Sequence, residues 1–499
     1  MRVIKLSRLE DLLKKNKSSF ICTDEALDLD GESLYQRSLR CRAYLQENGV
    51  TVNSRVIVIS RHCTDFIINL FAVLGLGGVV IPLTHNTPSD IIEEIIDLTL
   101  PGCICISGGR TDVSFSCRTI QIDYEDYRHK PLLEPVSGLS EDSIALVMMS
   151  SGTTGRRKGI ALTHRAIYSN IQGIVEYMRP APTDRFLTLK NFTHVSVLVG
   201  EILTCIYSGS HLFAPDPYCS MAKTLQNIKH YAPTFLFANP QLLKRLKDYT
   251  KKTGSDIRVR TIYTSGAVLS GTEAQELSAV FASSKIWNVY GLTETGPRVT
   301  AQTDFNDAKY GSVGRPIKDT ILYIKNPNTQ EQCSSYEVGL ICVKSQSLMS
   351  GYVYSKFQIQ YINQNDFFET GDLGYLDDDG DLFILGRAND TINVSGNKVD
   401  PVLVEEKIRR LEGVEDCIVF GVSDQVYGSR IVCLLAGRIQ DVKEHILIQH
   451  CNSTLFPHER PKEFIVSMSI PVNEHQKRSR YWTAKLYQEG ALQYRRLPF

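Results

Sequence analysis

Short apolar runs of strand character alternate with stretches of helical periodicity along most of this chain, and that alternation constrains its fold more than any other feature. Val56–Ile59, Val79–Ile81, Ile144–Met149 and Thr234–Ala238 are such runs, whereas Ile167, Ile171, Ile174 and Met178 recur on one helical face. Strands separated by helices are joined through crossovers, which favours parallel neighbours. The expected class is therefore α/β, with mixed, largely parallel sheets flanked by helices. No internal repeat or low-complexity tract interrupts the pattern.

A chain of 499 residues exceeds what one hydrophobic core usually supports, so at least two domains are expected. The texture changes where the acidic turn Asp377-Asp378-Asp379-Gly380-Asp381 and the run Leu382–Leu385 lead into Gly386-Arg387-Ala388-Asn389-Asp390. Beyond it come a helical signal at Val404, Ile408 and Leu411, strand runs at Cys417–Val422 and Ile431–Leu435, and a further helix near Val442–His450. This predicts a large N-terminal domain over residues 1–387 and a small α+β domain over 388–499, with a hinge near Asn389.

Lys plus Arg and Asp plus Glu each number 55, which removes the global positive charge expected of a nucleic-acid binder. The thirteen cysteines lack paired C-x-x-C spacing, and reduced thiols of a cytoplasmic protein fit them better than a zinc site. Acidic residues at Glu10 and Asp11 cut short any apolar leader, so no secretory signal is expected. Phe66 to Leu83 approaches membrane-spanning length, but Asn69, the Gly75, Gly77 and Gly78 cluster and Pro82 break it; a buried helix, a turn and a buried strand are expected instead of a span.

The sharpest local signal is Ser150-Ser151-Gly152-Thr153-Thr154-Gly155-Arg156-Arg157-Lys158-Gly159, between the run Ile144–Met149 and a helix that Thr163 is placed to cap. Small residues let successive backbone N–H groups approach a polyphosphate, hydroxyls add donors, and Lys158 adds a point charge. No Walker pattern can be drawn through it. The segment resembles the phosphate loop of the adenylate-forming superfamily, which contains acyl-CoA synthetases, nonribosomal peptide synthetase adenylation domains and luciferases; Arg157 stands where that family usually has proline.

Further similarities follow in the family order. Asn288-Val289-Tyr290-Gly291-Leu292-Thr293-Glu294 is similar to its aromatic-Gly-x-Thr-Glu motif, and the resemblance implies that Tyr290 stacks on adenine, Thr293 contacts phosphate and Glu294 holds Mg²⁺. A hard cation that bridges phosphates prefers carboxylate oxygen, in agreement. Thr370-Gly371-Asp372 is similar to the ribose-binding motif and Gly386-Arg387 to the next, so Asp372 and Arg387 are expected at ATP or AMP, together with Gly266, Ala267, Asn288 and Gly291.

The family's closing motif carries a catalytic lysine. Ile470, Pro471, Lys477 and Arg480 fall in register with it, although Gln476 replaces its glycine, which makes Lys477 the expected stabiliser of charge during adenylation. The resemblance also implies a C-terminal lid that rotates after adenylation and brings Ser395-Gly396-Asn397-Lys398 to a thiol channel, with Gly396 beside the pantetheine arm.

The acid is harder to read. Phe192-Thr193-His194-Val195 falls where amino-acid-activating relatives place an aspartate, and it has no carboxylate, so a substrate without an α-amino group is favoured. His194 is expected to border the reacting carboxylate. Val195, Asn239, Gly266, Val289 and Arg298 would surround the acyl group, and an inward Arg298 would demand an anionic or strongly polar partner.

The implied activity is ATP-dependent formation of an acyl-AMP, followed by acyl transfer to the thiol of coenzyme A or of a carrier protein's phosphopantetheine. Two other readings remain: a nucleotide-binding regulatory pseudoenzyme, suggested by the altered segment around Lys477, and an oxidative luciferase-type enzyme, which no residue favours.

Overall fold

The computed structural model describes residues 8–16, 21–24, 28–109, 114–150, 157–266, 269–303, 309–327, 329–388, 392–394, 397–424, 428–437, 444–472 and 478–497. They group into two compact units. One takes in residues 1–322, 343–368 and 379–382; the other takes in 323–342, 369–378 and 383–499.

The first unit is built on two large sheets. In one, the strands run Gln358–Tyr361, Gly351–Tyr354, Lys158–Thr163, Ile144–Ser150, Val79–Thr84, Arg55–Ser60, Cys103–Ser107 and Thr119–Gln121. Its centre is parallel and its 158–163 side antiparallel. The run from Phe66 to Leu83 resolves into a buried helix Cys63–Gly75, a turn and the strand Val79–Thr84, as expected. Pro82 lies in this interior strand without an N–H to give, and pairing with the 144–150 strand is accordingly confined to Val80↔Leu146.

The other sheet has a parallel centre formed by His211–Phe213, Arg185–Thr188, Phe235–Ala238, Thr261–Thr264 and Lys285–Tyr290, with antiparallel additions at Thr300–Ala301 and Arg315–Pro316. The helix His164–Met178 begins at Thr163, whose Oγ1 accepts from the Ala166 N–H at 3.1 Å; it buries Ile167, Ile171 and Ile174. One sheet face packs Phe186, Phe235, Phe237 and Tyr263 into the largest core, and the opposite face buries Leu187, Leu236, Ile262 and Ile286. That alternation is the strand period of two read as chemistry.

The second unit contains an antiparallel pair Asp416–Asp424 and Gly428–Ala436, extended in parallel by Glu463–Ser467. The helices Pro401–Arg409, Glu444–Thr454 and Arg480–Gln488 accompany it. All thirteen cysteines are free thiols. No helix among the described residues is long and apolar enough to cross a membrane.

Candidate functional site

Ser150 and Lys158 are register partners across an antiparallel hairpin, so the glycine- and threonine-rich segment joins two adjacent strand ends. Its residues Ser151, Gly152, Thr153, Thr154 and Gly155 lie outside the described residues, as do Ala267, Asn389, Gly396 and Lys477. The Ser150 hydroxyl is buried with no hydrogen-bond partner among the described residues.

The Lys158 ammonium lies 3.8 Å from Glu294 Oε1 and 3.5 Å from the centroid of the Tyr352 ring. The Tyr352 hydroxyl in turn donates to Glu294 Oε1 at 3.1 Å. Strand register explains this meeting: Tyr352 pairs with Ile160, and Lys158 is the next residue on that face. Nothing in the sequence pattern singles out Tyr352; only the antiparallel pairing reveals it.

Glu294 stands in the short turn Thr293–Thr295 that follows the strand Lys285–Tyr290. The chain folds back so tightly here that a Cβ on Gly291 would fall 1.6 Å from the Pro297 carbonyl oxygen, so only glycine fits. Asn170 clamps the return: its Nδ2 donates to the Thr295 and Arg298 carbonyls at 3.2 and 2.9 Å, and its Oδ1 accepts from the Arg298 N–H at 3.1 Å. The Glu294 carbonyl accepts from the Met349 N–H at 2.8 Å, which ties the turn to the segment leading to Tyr352. Tyr290 and Thr293 are half-buried at the same turn. Asn288 uses its side-chain amide within the fold, donating to the Ser312 carbonyl at 3.2 Å. Gly266 adopts φ +93°, with nothing near the position of a Cβ.

Around the expected acyl group, His194 is half-buried and starts a helical segment, with Val195 8% exposed behind it. Asn239 caps the helix Pro240–Thr253, its Oδ1 accepting from the Leu242 N–H at 2.8 Å. Val289 belongs to the core at 3% exposed. Arg298 is inward: it is 2% exposed, and its Nε donates to the Tyr177 hydroxyl at 3.3 Å.

In the second unit, Arg387 Nε lies 2.7 Å from Asp372 Oδ1, and its Nη1 donates to the Thr370 carbonyl at 3.1 Å. Gly371, at φ +74°, makes the bend between Thr370 and the buried Asp372. Asp372 and Arg387, which the sequence motifs assign separately to the nucleotide, are thus in direct contact. Residues flanking Lys477 are pinned by ion pairs: Arg478 Nη1 meets Asp416 at 3.0 Å, and Arg480 Nη2 meets buried Glu405 at 2.7 Å.

A carboxylate beside an ammonium, one held by a hydroxyl and the other by an aromatic face, suits a phosphate–cation pair. Among the described residues no cluster of three or more His, Cys, Asp or Glu is arranged to hold a metal alone. A Mg²⁺ here would take Glu294 and share its remaining positions with phosphate oxygens and water, which is how that ion is commonly held.

The AMP-binding enzyme profile matches residues 13–353, and the AMP-binding enzyme C-terminal domain profile matches residues 403–477. A 2-succinylbenzoate–CoA ligase of Staphylococcus epidermidis is 28% identical over 331 residues, 66% of this chain and 67% of that protein. A long-chain-fatty-acid–CoA ligase of Bacillus subtilis is 25% identical over 87% of this chain and 86% of its own length. Among solved structures, o-succinylbenzoate coenzyme A synthetase from Bacillus subtilis, in complex with its acyl-adenylate intermediate, superposes with a TM-score of 0.82 at 22% identity, covering 93% of this chain and 96% of that one.

Proposed function

This chain belongs to the AMP-binding enzyme family, and from that premise we propose how its residues serve an ATP-dependent, AMP-forming acid–thiol ligase. The enzyme joins a carboxylate oxygen to the α-phosphorus of ATP and expels pyrophosphate. A thiol then attacks the acyl carbon of the mixed anhydride, and AMP leaves with the C–O electron pair. Phosphoryl chemistry of this kind needs positioning and charge neutralisation more than a nucleophile, and the site offers charges in place of a triad.

The observation that carries our reading of the residues is the Lys158–Tyr352–Glu294 group, with its 3.8 Å cation–carboxylate approach. Lys158 is assigned to the polyphosphate, and Ser150 to Gly155 to its backbone cradle. Glu294 is assigned to Mg²⁺, which supplies charge neutralisation to the phosphates when bound. Tyr290 and Gly291 are assigned to the adenine side, Thr293 to the α-phosphate, and Asp372 with Arg387 to the ribose. The Asp372–Arg387 contact at 2.7 Å orients that carboxylate as an acceptor for hydroxyls.

Lys477 is assigned to the charge that develops on the α-phosphate and the acid. The thiol is assigned to coenzyme A, as in the names of the ligases above, with a carrier-protein phosphopantetheine as the other acceptor to be tried. We place the enzyme in the cytosol, in keeping with its free thiols.

The test is pyrophosphate release by the full chain with ATP, Mg²⁺ and a mixed acid library, with mass spectrometry of the acyl-AMP. Release that depends on an acid is expected; release or nucleotide binding indifferent to every acid would favour the pseudoenzyme. Lys477→Ala should lower adenylation by on the order of a hundredfold or more while sparing thiolysis of preformed acyl-AMP. Equal losses in both half-reactions would remove Lys477 from this role.

A further inference from the structure

One face of the 185–290 sheet carries three buried polar atoms that have no hydrogen-bond partner among the described residues. Parallel register aligns Thr188, Phe237, Tyr263 and Trp287 in a single row, so their side chains share a face. The rings confirm the row: Phe237 and Tyr263 stack at 5.4 Å, and Tyr263 meets Trp287 edge-on at 5.4 Å. Thr188 Oγ1, Tyr263 Oη and Trp287 Nε1 are all buried without a hydrogen-bond partner among the described residues. Tyr177 lies against Tyr263 with ring centroids 6.1 Å apart, and its hydroxyl takes the hydrogen bond from Arg298 Nε.

The charges nearby do not balance. Glu201 is fully buried in a π-helical turn, Leu198–Leu203, and Lys190 answers it with its ammonium 2.7 Å from Oε1. That ammonium approaches off the hydrogen-bonding direction, because neither Glu201 oxygen accepts a hydrogen bond. Glu201 is thereby neutralised by a different cation, and among the described residues no carboxylate lies within ion-pair distance of Arg298. The same π turn places Gly200 against the guanidinium: a Cβ there would sit 3.0 Å from Nη2. A glycine on this turn lets the guanidinium pack against its backbone, where a side chain would crowd a cation that has no carboxylate partner among the described residues.

Burial raises the phenols of Tyr177 and Tyr263 above their ordinary range, so both remain protonated. Trp287 and Arg298 are donors only. A buried guanidinium whose side-chain partner among the described residues is a neutral hydroxyl, with partnerless polar groups around it, is costly unless an acceptor-rich anion arrives. We propose that the Arg298, Tyr177, Tyr263, Trp287 cluster receives a second anionic group at the far end of the acid, so that the preferred substrates are dicarboxylic acids.

This proposal rests on the ligase reading, and its test separates the two. Pyrophosphate exchange by the full chain is measured with a graded series of diacids, each beside the monoacid of equal length and its ω-hydroxy acid. The expected result is a diacid-to-monoacid ratio of kcat/KM of about 100 or more, a value in keeping with a charge-assisted contact in a buried site. Arg298→Met should bring the ratio to near unity, and Arg298→Lys should restore part of it, since it returns the charge without the fork.

Tyr177→Phe retains the ring and removes only the hydroxyl that holds Arg298, and it should lower the ratio about tenfold, the weight of one such hydrogen bond. Direct binding gives a readout independent of these variants. The chain has two tryptophans, so Trp482→Phe leaves Trp287 as the sole reporter, and its fluorescence should respond to diacids and not to monoacids. Exchange supported by monoacids or hydroxy acids and not by diacids would overturn the diacid assignment and leave the ligase reading standing. Absence of exchange with every acid would overturn both.

Discussion

Tyr352 links the two charges of the candidate nucleotide site by two unlike interactions, a cation–π contact to Lys158 at 3.5 Å and a hydrogen bond to Glu294 at 3.1 Å. Tyr352→Phe separates them, because the ring stays and the hydroxyl goes. A hydrogen bond to a charged acceptor is worth about 1.5–3 kcal/mol, so kcat/KM for MgATP should fall roughly ten- to hundredfold. Tyr352→Leu should fall further, since the aromatic face beneath Lys158 is lost as well. Pyrophosphate exchange at varied MgATP, beside a thermal-unfolding midpoint, is the measurement; an unchanged KM and kcat in the Phe variant would show the hydroxyl idle. Lys158 and Glu294 were legible in the sequence because each sits in a motif with a chemical reason for its residue types. Tyr352 was not, because its role arises from cross-strand register over a separation of almost two hundred positions.

At the scale of elements, periodicity located the strands and helices well and missed what fastens them. The short helix Glu10–Asn16 shows the difference. Arg8 pairs with Glu10 and also donates to the Val136 carbonyl at 2.6 Å, and Leu9 N–H donates to Nδ1 of buried His164 at 3.3 Å. Burial pushes the Glu10 carboxyl up to about 7, despite the opposing charges of Arg8 and Arg42, and Asp11 adds to the rise. Burial, reinforced by Arg8, pushes His164 down to about 3.

These two shifts have opposite consequences for stability. Glu10 contributes stability that is present below its unfolded value of 4.5 and lost as pH rises through about 7. His164 contributes stability that is present above its unfolded value of 6.5 and lost as pH falls towards about 3. Between 4.5 and 6.5 the slopes, about 1.4 kcal/mol per pH unit each, cancel. Glu10→Gln removes one of them. Its stability relative to the parent chain should then decline by about 1.4 kcal/mol per unit as pH falls through that window, read from urea unfolding at several pH values. Parallel curves for the two proteins would show that this pair does not titrate as an opposed couple.

At the scale of the whole chain, the α/β class and the change of character in the 380s were readable because strand and helix periods differ and because the acidic glycine turn breaks them. A boundary drawn along the chain could not reveal that residues 323–342 and 369–378 group with 383–499, since that grouping is made by contacts distant in sequence. It places the Asp372–Arg387 pair in the same compact unit as the residues flanking Lys477. On our proposal that unit would act as a lid, serving adenylation in one orientation and thiol transfer in another, and Gly396 would lie beside the thiol in the second. Gly396→Leu tests this. If a pantetheine arm must pass close to backbone there, the substitution spares acyl-AMP formation and blocks thioester formation by at least about tenfold, whichever acceptor is supplied. If Gly396 only serves a turn between the strands Ile392–Val394 and Asn397–Val399, the variant destabilises its unit and both half-reactions fall together. Pyrophosphate exchange and thioester formation, measured on one preparation beside its unfolding curve, distinguish these outcomes. Thioester formation at the parental rate would mean that the acceptor enters by a route that does not pass Gly396.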